Sequence, residues 1–223
     1  MANIIILVIF ICFAVGHIIG EFLKNLKIRY ITKPLLMPLL ALYYFIDNSS
    51  INWWILLGII GGFGGDVLLM ISESDPNKSE NFFTFGLISF LLGHLFYIIG
   101  LVQLTNSFVS FQLWTIILMI PYILFIAIAA IKLLPAVGEK EPDMKIPVTI
   151  YLVIIGIMGV SSVLPLFAHT GAILLMIGAF MFMVSDSVLA FNKFKKEIPY
   201  ERIIVMTTYI LAQFFIVQGA LLL

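Results

Sequence analysis

Polar positions break this chain into apolar runs long enough for helices rather than strands. Residues 3–20 carry no formal charge and predict a first helix, and residues 31–46 a short second one interrupted by Pro34 and Pro38. Residues 51–71 hold one charge, Asp66, and predict a third. The run 81–131 is uncharged and too long for one span, so the polar turn Thr105-Asn106-Ser107 is expected to divide it into helices four and five. Residues 146–185 are likewise uncharged and split near His169-Thr170-Gly171, with the seventh helix running on to about Asn192 and carrying Asp186. Residues 203–223 predict the eighth. No run alternates as the strands of a membrane barrel do, so helices are the structure expected in lipid.

Composition fixes the solvent. Of 223 residues, 62% are apolar and 11% charged, with a mean hydropathy of +1.17. Soluble domains run near ~25% charged, and polar surface here is too scarce to cover a water-facing globule. Eight spans of ~20 residues would use roughly 160 residues and leave short loops. The expectation is therefore an all-α, polytopic membrane helix bundle of eight transmembrane helices, a single integral membrane domain over residues 1–223. The first run lacks a basic leader and an A-x-A-like cleavage site, which predicts a retained helix rather than a signal peptide.

Basic residues orient the bundle. Lys24, Lys27, Arg29 and Lys33 fall at the first connection, Lys78 at the third, Lys132, Lys140 and Lys145 at the fifth, and Lys193, Lys195, Lys196 and Arg202 at the seventh. Alternate connections thus hold every Lys and Arg, which predicts odd connections in the cytoplasm and both termini outside. Twelve basic and twelve acidic residues cancel, with no basic patch for nucleic acid. The expected location is a cell membrane, multi-pass, with an Ile- and Lys-rich composition pointing to a bacterial plasma membrane. Cys12, the sole cysteine, excludes an intrachain disulfide.

Chemistry is concentrated in a few polar groups at membrane depth. Asp66 lies roughly 20 Å down the third helix from Trp53 at ~1.5 Å per residue, and Asp186 reaches a similar depth down the seventh. An ionised group there costs at least ~2.5–3.5 kcal/mol, so such residues face the bundle interior and mark function. Gly58 and Gly62 share the Asp66 stripe, and Gly178, Ala179 and Ala190 lie near that of Asp186, so close helix contact keeps both carboxylates from lipid. Neutral, hydrogen-bonded carboxyls gluing helices together are the bland reading of each. His94, with Tyr97 one turn on, reads equally as a neutral imidazole bonded to a neighbouring helix and as a catalytic or substrate-positioning group. His17 and Glu21 sit one turn apart and read first as an interfacial pair.

Other chemistries fit poorly. No H-x-x-x-H, H-E-x-x-H or cysteine ligand set occurs, and His169 is expected at the outer surface, so no metal and no cofactor is expected. Ser185 precedes Asp186 without a G-x-S-x-G context, and Ser161-Ser162 lie towards the outer face. Gly61-Gly62-Phe63-Gly64-Gly65 has no following Lys-Ser/Thr and reads as helix packing rather than a phosphate loop.

Five groups of residues carry a family resemblance: Lys33-Pro34-Leu35-Leu36-Met37-Pro38; Gly65-Asp66-Val67-Leu68-Leu69-Met70; Phe85-Gly86, Phe90, Gly93-His94 and Tyr97; Val184-Ser185-Asp186-Ser187 with Leu189-Ala190 and Lys193-Phe194; and Tyr209, Ala212-Gln213 and Gly219. In this order and spacing they resemble the YhhN family, which includes the lysoplasmalogenases. The resemblance implies hydrolysis of the vinyl ether bond of a lysoplasmalogen to a fatty aldehyde and a glycerophospho-base. It also implies that the catalytic residues are two intramembrane aspartates, here Asp66 and Asp186, acting on a lysophospholipid drawn from the bilayer.

The chemistry of the residues is compatible with that implication. Vinyl ether hydrolysis starts with protonation of the β-carbon, giving an oxocarbenium-like centre that water attacks. A carboxyl removed from water favours its protonated form, and two neighbouring carboxyls titrate apart, leaving one acid and one base. Either aspartate can fill either role, within about 10 Å of its partner as in carboxylate-pair hydrolases. Lys33 reads equally as a ligand for the lipid phosphate and as an interfacial snorkelling lysine. His94 and Tyr97 are candidates to bond glycerol oxygens, with Tyr209, Gln213 and Asn25 further candidates for the cavity. Two other classes compete. A carboxylate pair also serves proton-coupled small-molecule or lipid transporters, and a lipid-binding scaffold would need no turnover.

Overall fold

A computed structural model describes residues 2–47, 50–74, 79–105, 115–167 and 171–222. Within them lie eight α-helices: α1 (Ala2–Phe22), α2 (Leu26–Asp47), α3 (Trp53–Ser74), α4 (Ser79–Leu104), α5 (Thr115–Lys140), α6 (Lys145–Ser161), α7 (Ala172–Phe194) and α8 (Glu201–Leu221). Short 3₁₀ turns at Pro142–Met144 and Leu164–Phe167 flank α6, and the described residues contain no strand. Seven of the helices, all but α2, are long and apolar enough to cross a membrane. The chain is a multi-pass membrane protein. Asn106, Ser107, His169, Thr170 and Lys78, which the sequence reading used to divide or orient helices, lie outside the described residues.

The second helix differs from the sequence reading. It begins at Leu26, five residues before the apolar run, and passes through Pro34 and Pro38 without a break. Its start is built by the preceding turn. Lys24 adopts a left-handed conformation (φ 52°). The amides of Lys24 and Asn25 return to the carbonyls of Glu21 and Gly20 at 3.1 and 2.9 Å, a Schellman closure of α1. The Asn25 side chain then accepts from the Ile28 amide at 3.2 Å, so Asn25 caps α2. This tight reversal keeps Arg29 within reach of Glu21.

The chain forms two compact units, Met1–Gly100 and Leu101–Leu223. In the first, α2 packs against both α1 and α3. Only one stripe of α1 is buried (Phe10, His17, Gly20 and Glu21), while Ile4, Ile5, Val8, Val15 and Ile19 are exposed on its other faces. Apolar exposure on this scale suits contact with lipid tails and would be a liability in water. The α3–α4 contact depends on glycine. A Cβ on Gly61 would meet the Gly93 Cα at 2.6 Å, and Ser89 Oγ donates to the Gly61 carbonyl at 2.8 Å. In the second unit α7 is the centre, packed against α5, α6 and α8. A Cβ on Gly178 would meet the Ala212 carbonyl of α8 at 2.9 Å, and Tyr122 of α5 donates to the Met176 carbonyl of α7 at 2.9 Å.

Candidate active site

Asp66 sits near the end of the glycine-rich face of α3 and is 2% exposed. The rings of Phe90 and Tyr97 fill the space beside Gly65 and Gly58, so α4 closes one side of the Asp66 helix with aromatic surface. On the α2 side, Lys33 Nζ lies 4.0 Å from Asp66 Oδ1, with the lysine side chain 11% exposed. Of the sequence candidates in this unit, Lys33 and Asp66 are therefore brought together. His94 and Tyr97 are both buried on α4.

A polar network that sequence reasoning saw only in part surrounds that pair. His17 on α1 is fully buried, and its Nδ1 lies 2.8 Å from the Thr32 hydroxyl. Thr32 also donates to the Ile28 carbonyl at 2.7 Å. With the hydroxyl hydrogen used there, the ring supplies the Nδ1–H to Thr32. His17 Nε2 stands 3.6 Å from Glu21 Oε1, beyond hydrogen-bond length. Glu21 Oε1 instead accepts from Arg29 Nε at 2.6 Å, and Arg29 Nη2 donates to Glu73 of α3 at 3.0 Å. One guanidinium thus bridges carboxylates from two other helices. Thr32 and Lys33 are consecutive in α2, which puts the His17 contact and the Asp66 contact on adjacent residues. The signal for this network was present as Glu21, Arg29 and Glu73, yet their pairing crosses three helices and no spacing within one helix encodes it.

In the second unit Asp186 lies half-buried on α7, and its Oδ2 accepts a hydrogen bond from the Tyr151 hydroxyl of α6. Tyr151 was not a sequence candidate. Its trace is compositional: it is the polar-tipped member of the buried stripe Val148, Leu152 and Ile155. Ser185, beside the aspartate, donates to the Val205 carbonyl of α8 at 3.1 Å, which ties it to the backbone. Tyr209 and Gln213 are buried on α8, where Gln213 Nε2 lies 3.5 Å from the Tyr209 hydroxyl and the Tyr209 ring meets Phe182 edge-on at 5.3 Å. Among the described residues, no three His, Cys, Asp or Glu side chains gather as a metal site.

Chemically, Asp66 and Asp186 are each the lone carboxyl in an apolar stretch of helix, and each has a different interhelical partner. The first can exchange a proton beside a fixed positive charge. The second can do so while held by a neutral donor.

Comparisons with known proteins place the chain among its relatives. A family model described as the YhhN family matches residues 28–220, from the first turn of α2 into α8. "Lysoplasmalogenase TMEM86B" of Mus musculus is 27% identical over 190 residues, covering 85% of this chain and 73% of that protein. The protein of the same name from Rattus norvegicus is 28% identical over 192 residues, covering 85% and 70%. That from Homo sapiens is 36% identical over a shorter stretch of 81 residues, 36% of this chain and 33% of that protein. No solved structure matches the chain.

Proposed function

Because the chain belongs to the YhhN family, we propose that it is a membrane-embedded hydrolase of the lysoplasmalogenase type. It would cleave the vinyl ether bond of a lysoplasmalogen to a fatty aldehyde and a glycerophospho-base. The observation that carries this reading is the similarity along most of the chain to relatives named lysoplasmalogenases. A carboxyl in the matched region of each unit, buried at Asp66 and half-buried at Asp186, supports it.

In the proposed reaction one aspartate, protonated, delivers its proton to the β-carbon of the vinyl ether. The C=C electron pair forms the new C–H bond, and the adjacent oxygen stabilises the resulting oxocarbenium centre. Water adds to that centre while the other aspartate takes one of its protons, giving a hemiacetal. The hemiacetal then loses its hydroxyl proton as the C–O bond to glycerol breaks and the leaving oxygen gains a proton. Aldehyde and glycerophospho-base result, and both carboxyls return to their starting states. General acid–base steps of this kind contribute typically 10²–10⁴-fold each.

Asp66 and Asp186 are the catalytic pair in this reading, and they must reach one substrate together, within about 10 Å. Lys33 is assigned to the lipid phosphate. His94 and Tyr97, with Tyr209 and Gln213, are assigned to the glycerophospho portion. The arrangement proposed is one domain of eight spans in a bacterial plasma membrane, with both termini outside and the basic connections in the cytoplasm.

The test is aldehyde release from lysoplasmalogen by detergent-purified protein, beside Asp66→Asn and Asp186→Asn. The reading expects release by the wild type and loss of about 10²-fold or more in each folded variant. No release on ethanolamine or choline substrates would sink it. Spin labels at residues 66 and 186, in a Cys12→Ser background, measure the separation independently.

A further inference from the structure

We propose that Tyr151 is a positioning residue of the active site, fixing the carboxyl of Asp186 through Oδ2 so that protons are exchanged with substrate or water at Oδ1. The inference rests on the hydrolase reading and deepens it. Neither the family resemblance nor the named relatives assign this tyrosine.

The argument begins with the helix. Residues Val148, Tyr151, Leu152, Ile155, Met158 and Gly159 form the buried side of α6, spaced three and four apart as one face of a helix requires. A hydroxyl carried into such a face costs free energy unless it finds an acceptor. Tyr151 finds it on the neighbouring helix, at Asp186 Oδ2. A phenol carries one hydrogen, and here that hydrogen is directed at Oδ2. Oδ2 is therefore committed as an acceptor, and a proton belonging to the carboxyl resides on Oδ1.

The consequence holds for either catalytic role. As the acid, Asp186 breaks its Oδ1–H bond as the β-carbon gains that proton, and the electron pair stays on the carboxylate. As the base, it forms an Oδ1–H bond with a proton of the attacking water, whose oxygen bonds the oxocarbenium carbon. In both cases the Tyr151 proton remains between the phenol and Oδ2, so the tyrosine neither gains nor loses an atom. Its contribution is orientation. The ring is packed in the α6 stripe and has few torsions to lose, so the carboxyl cannot swing about its own χ angles without giving up that bond. Serine cannot substitute for it, since the adjacent Ser185 is tied to the Val205 carbonyl.

A double-mutant cycle tests this in full-length protein reconstituted in detergent. Tyr151→Phe removes one oxygen from a buried apolar face, and Asp186→Glu moves the carboxyl while keeping its chemistry. Expected is a fall in kcat of about 10- to 100-fold for Tyr151→Phe with KM within about twofold. The same tyrosine change should cost little in the Asp186→Glu background, because the interaction it removes is already broken. The infrared carboxyl band of Asp186, identified by its loss in Asp186→Asn, should also move in Tyr151→Phe. Unchanged kcat, or losses that multiply in the double variant, would overturn the positioning role, as would an unmoved band. A wild type that releases no aldehyde instead defeats the hydrolase reading, whatever the band does.

Discussion

In the Met1–Gly100 unit the carboxyl of Asp66 faces the ammonium of Lys33, whereas in the Leu101–Leu223 unit that of Asp186 accepts from the phenol of Tyr151. The same residue type on a similar apolar helix is held by a cation in one case and by a neutral donor in the other. The first unit extends the ionic solution, with Arg29 shared by Glu21 and Glu73 beside it. The second uses hydroxyls and backbone carbonyls: Tyr122 on Met176 and Ser185 on Val205. An ion network fixes charge in place but becomes costly when one member is lost. A phenol–carboxyl bond fixes geometry and leaves the net charge of the site unaltered. The proposed reaction needs two carboxyls that behave differently, and unlike partners are a simple way to distinguish them.

The largest test of this contrast is Arg29→Met. Removing the guanidinium leaves the buried Glu21 carboxylate without its cation, and breaking such a buried pair costs about 3–5 kcal/mol. Thermal unfolding in detergent should show that loss, while Tyr151→Phe should cost only about 1 kcal/mol. Equal losses would erase the distinction between the units. Lys33→Met comes next. It should lower aldehyde release by about 10²-fold, with Lys33→Arg restoring part of it, if a positive charge beside Asp66 is what the site needs. An active Lys33→Met would make the lysine an interfacial anchor. Gly61→Ala should destabilise by about 1–3 kcal/mol, because its new Cβ meets backbone of α4 rather than a movable side chain. Smallest is Tyr209→Phe, expected to raise KM by up to about tenfold at constant kcat, the worth of one hydrogen bond to substrate. A lower melting temperature with KM unmoved would return Tyr209 to the core.

Helices α3 to α8 were legible because charged and turn residues interrupt otherwise apolar runs, but α5 runs nine residues past the end of its run at 131 to Lys140, and α6 stops at Ser161, well before the expected split near 169–171. Asp66 and Asp186 were legible for the same reason, each being a lone charge in its run. The start of α2 was not. Lys27 and Arg29 look like loop residues in sequence, and it takes Glu21 and Glu73 on two other helices to neutralise Arg29. Tyr151 was equally silent. Tyrosine on the buried side of a helix is common, and what distinguishes this one is an acceptor 35 residues away on another helix.

The two prolines of α2 have a mechanical consequence. Neither can donate a backbone hydrogen, so the carbonyls of Tyr30 and Pro34 receive nothing from four residues on. Two rungs of the helical ladder, about one turn apart, are thus absent, and Lys33 lies immediately before the first proline. Arg29, Thr32 and Lys33 lie ahead of Pro34, where the contacts of Thr32 with His17 and of Arg29 with Glu21 and Glu73 tie the segment to α1 and α3. Side-chain contacts therefore hold the Lys33 segment where the backbone ladder is thinned, and the ammonium beside Asp66 depends on the neighbouring helices for its position.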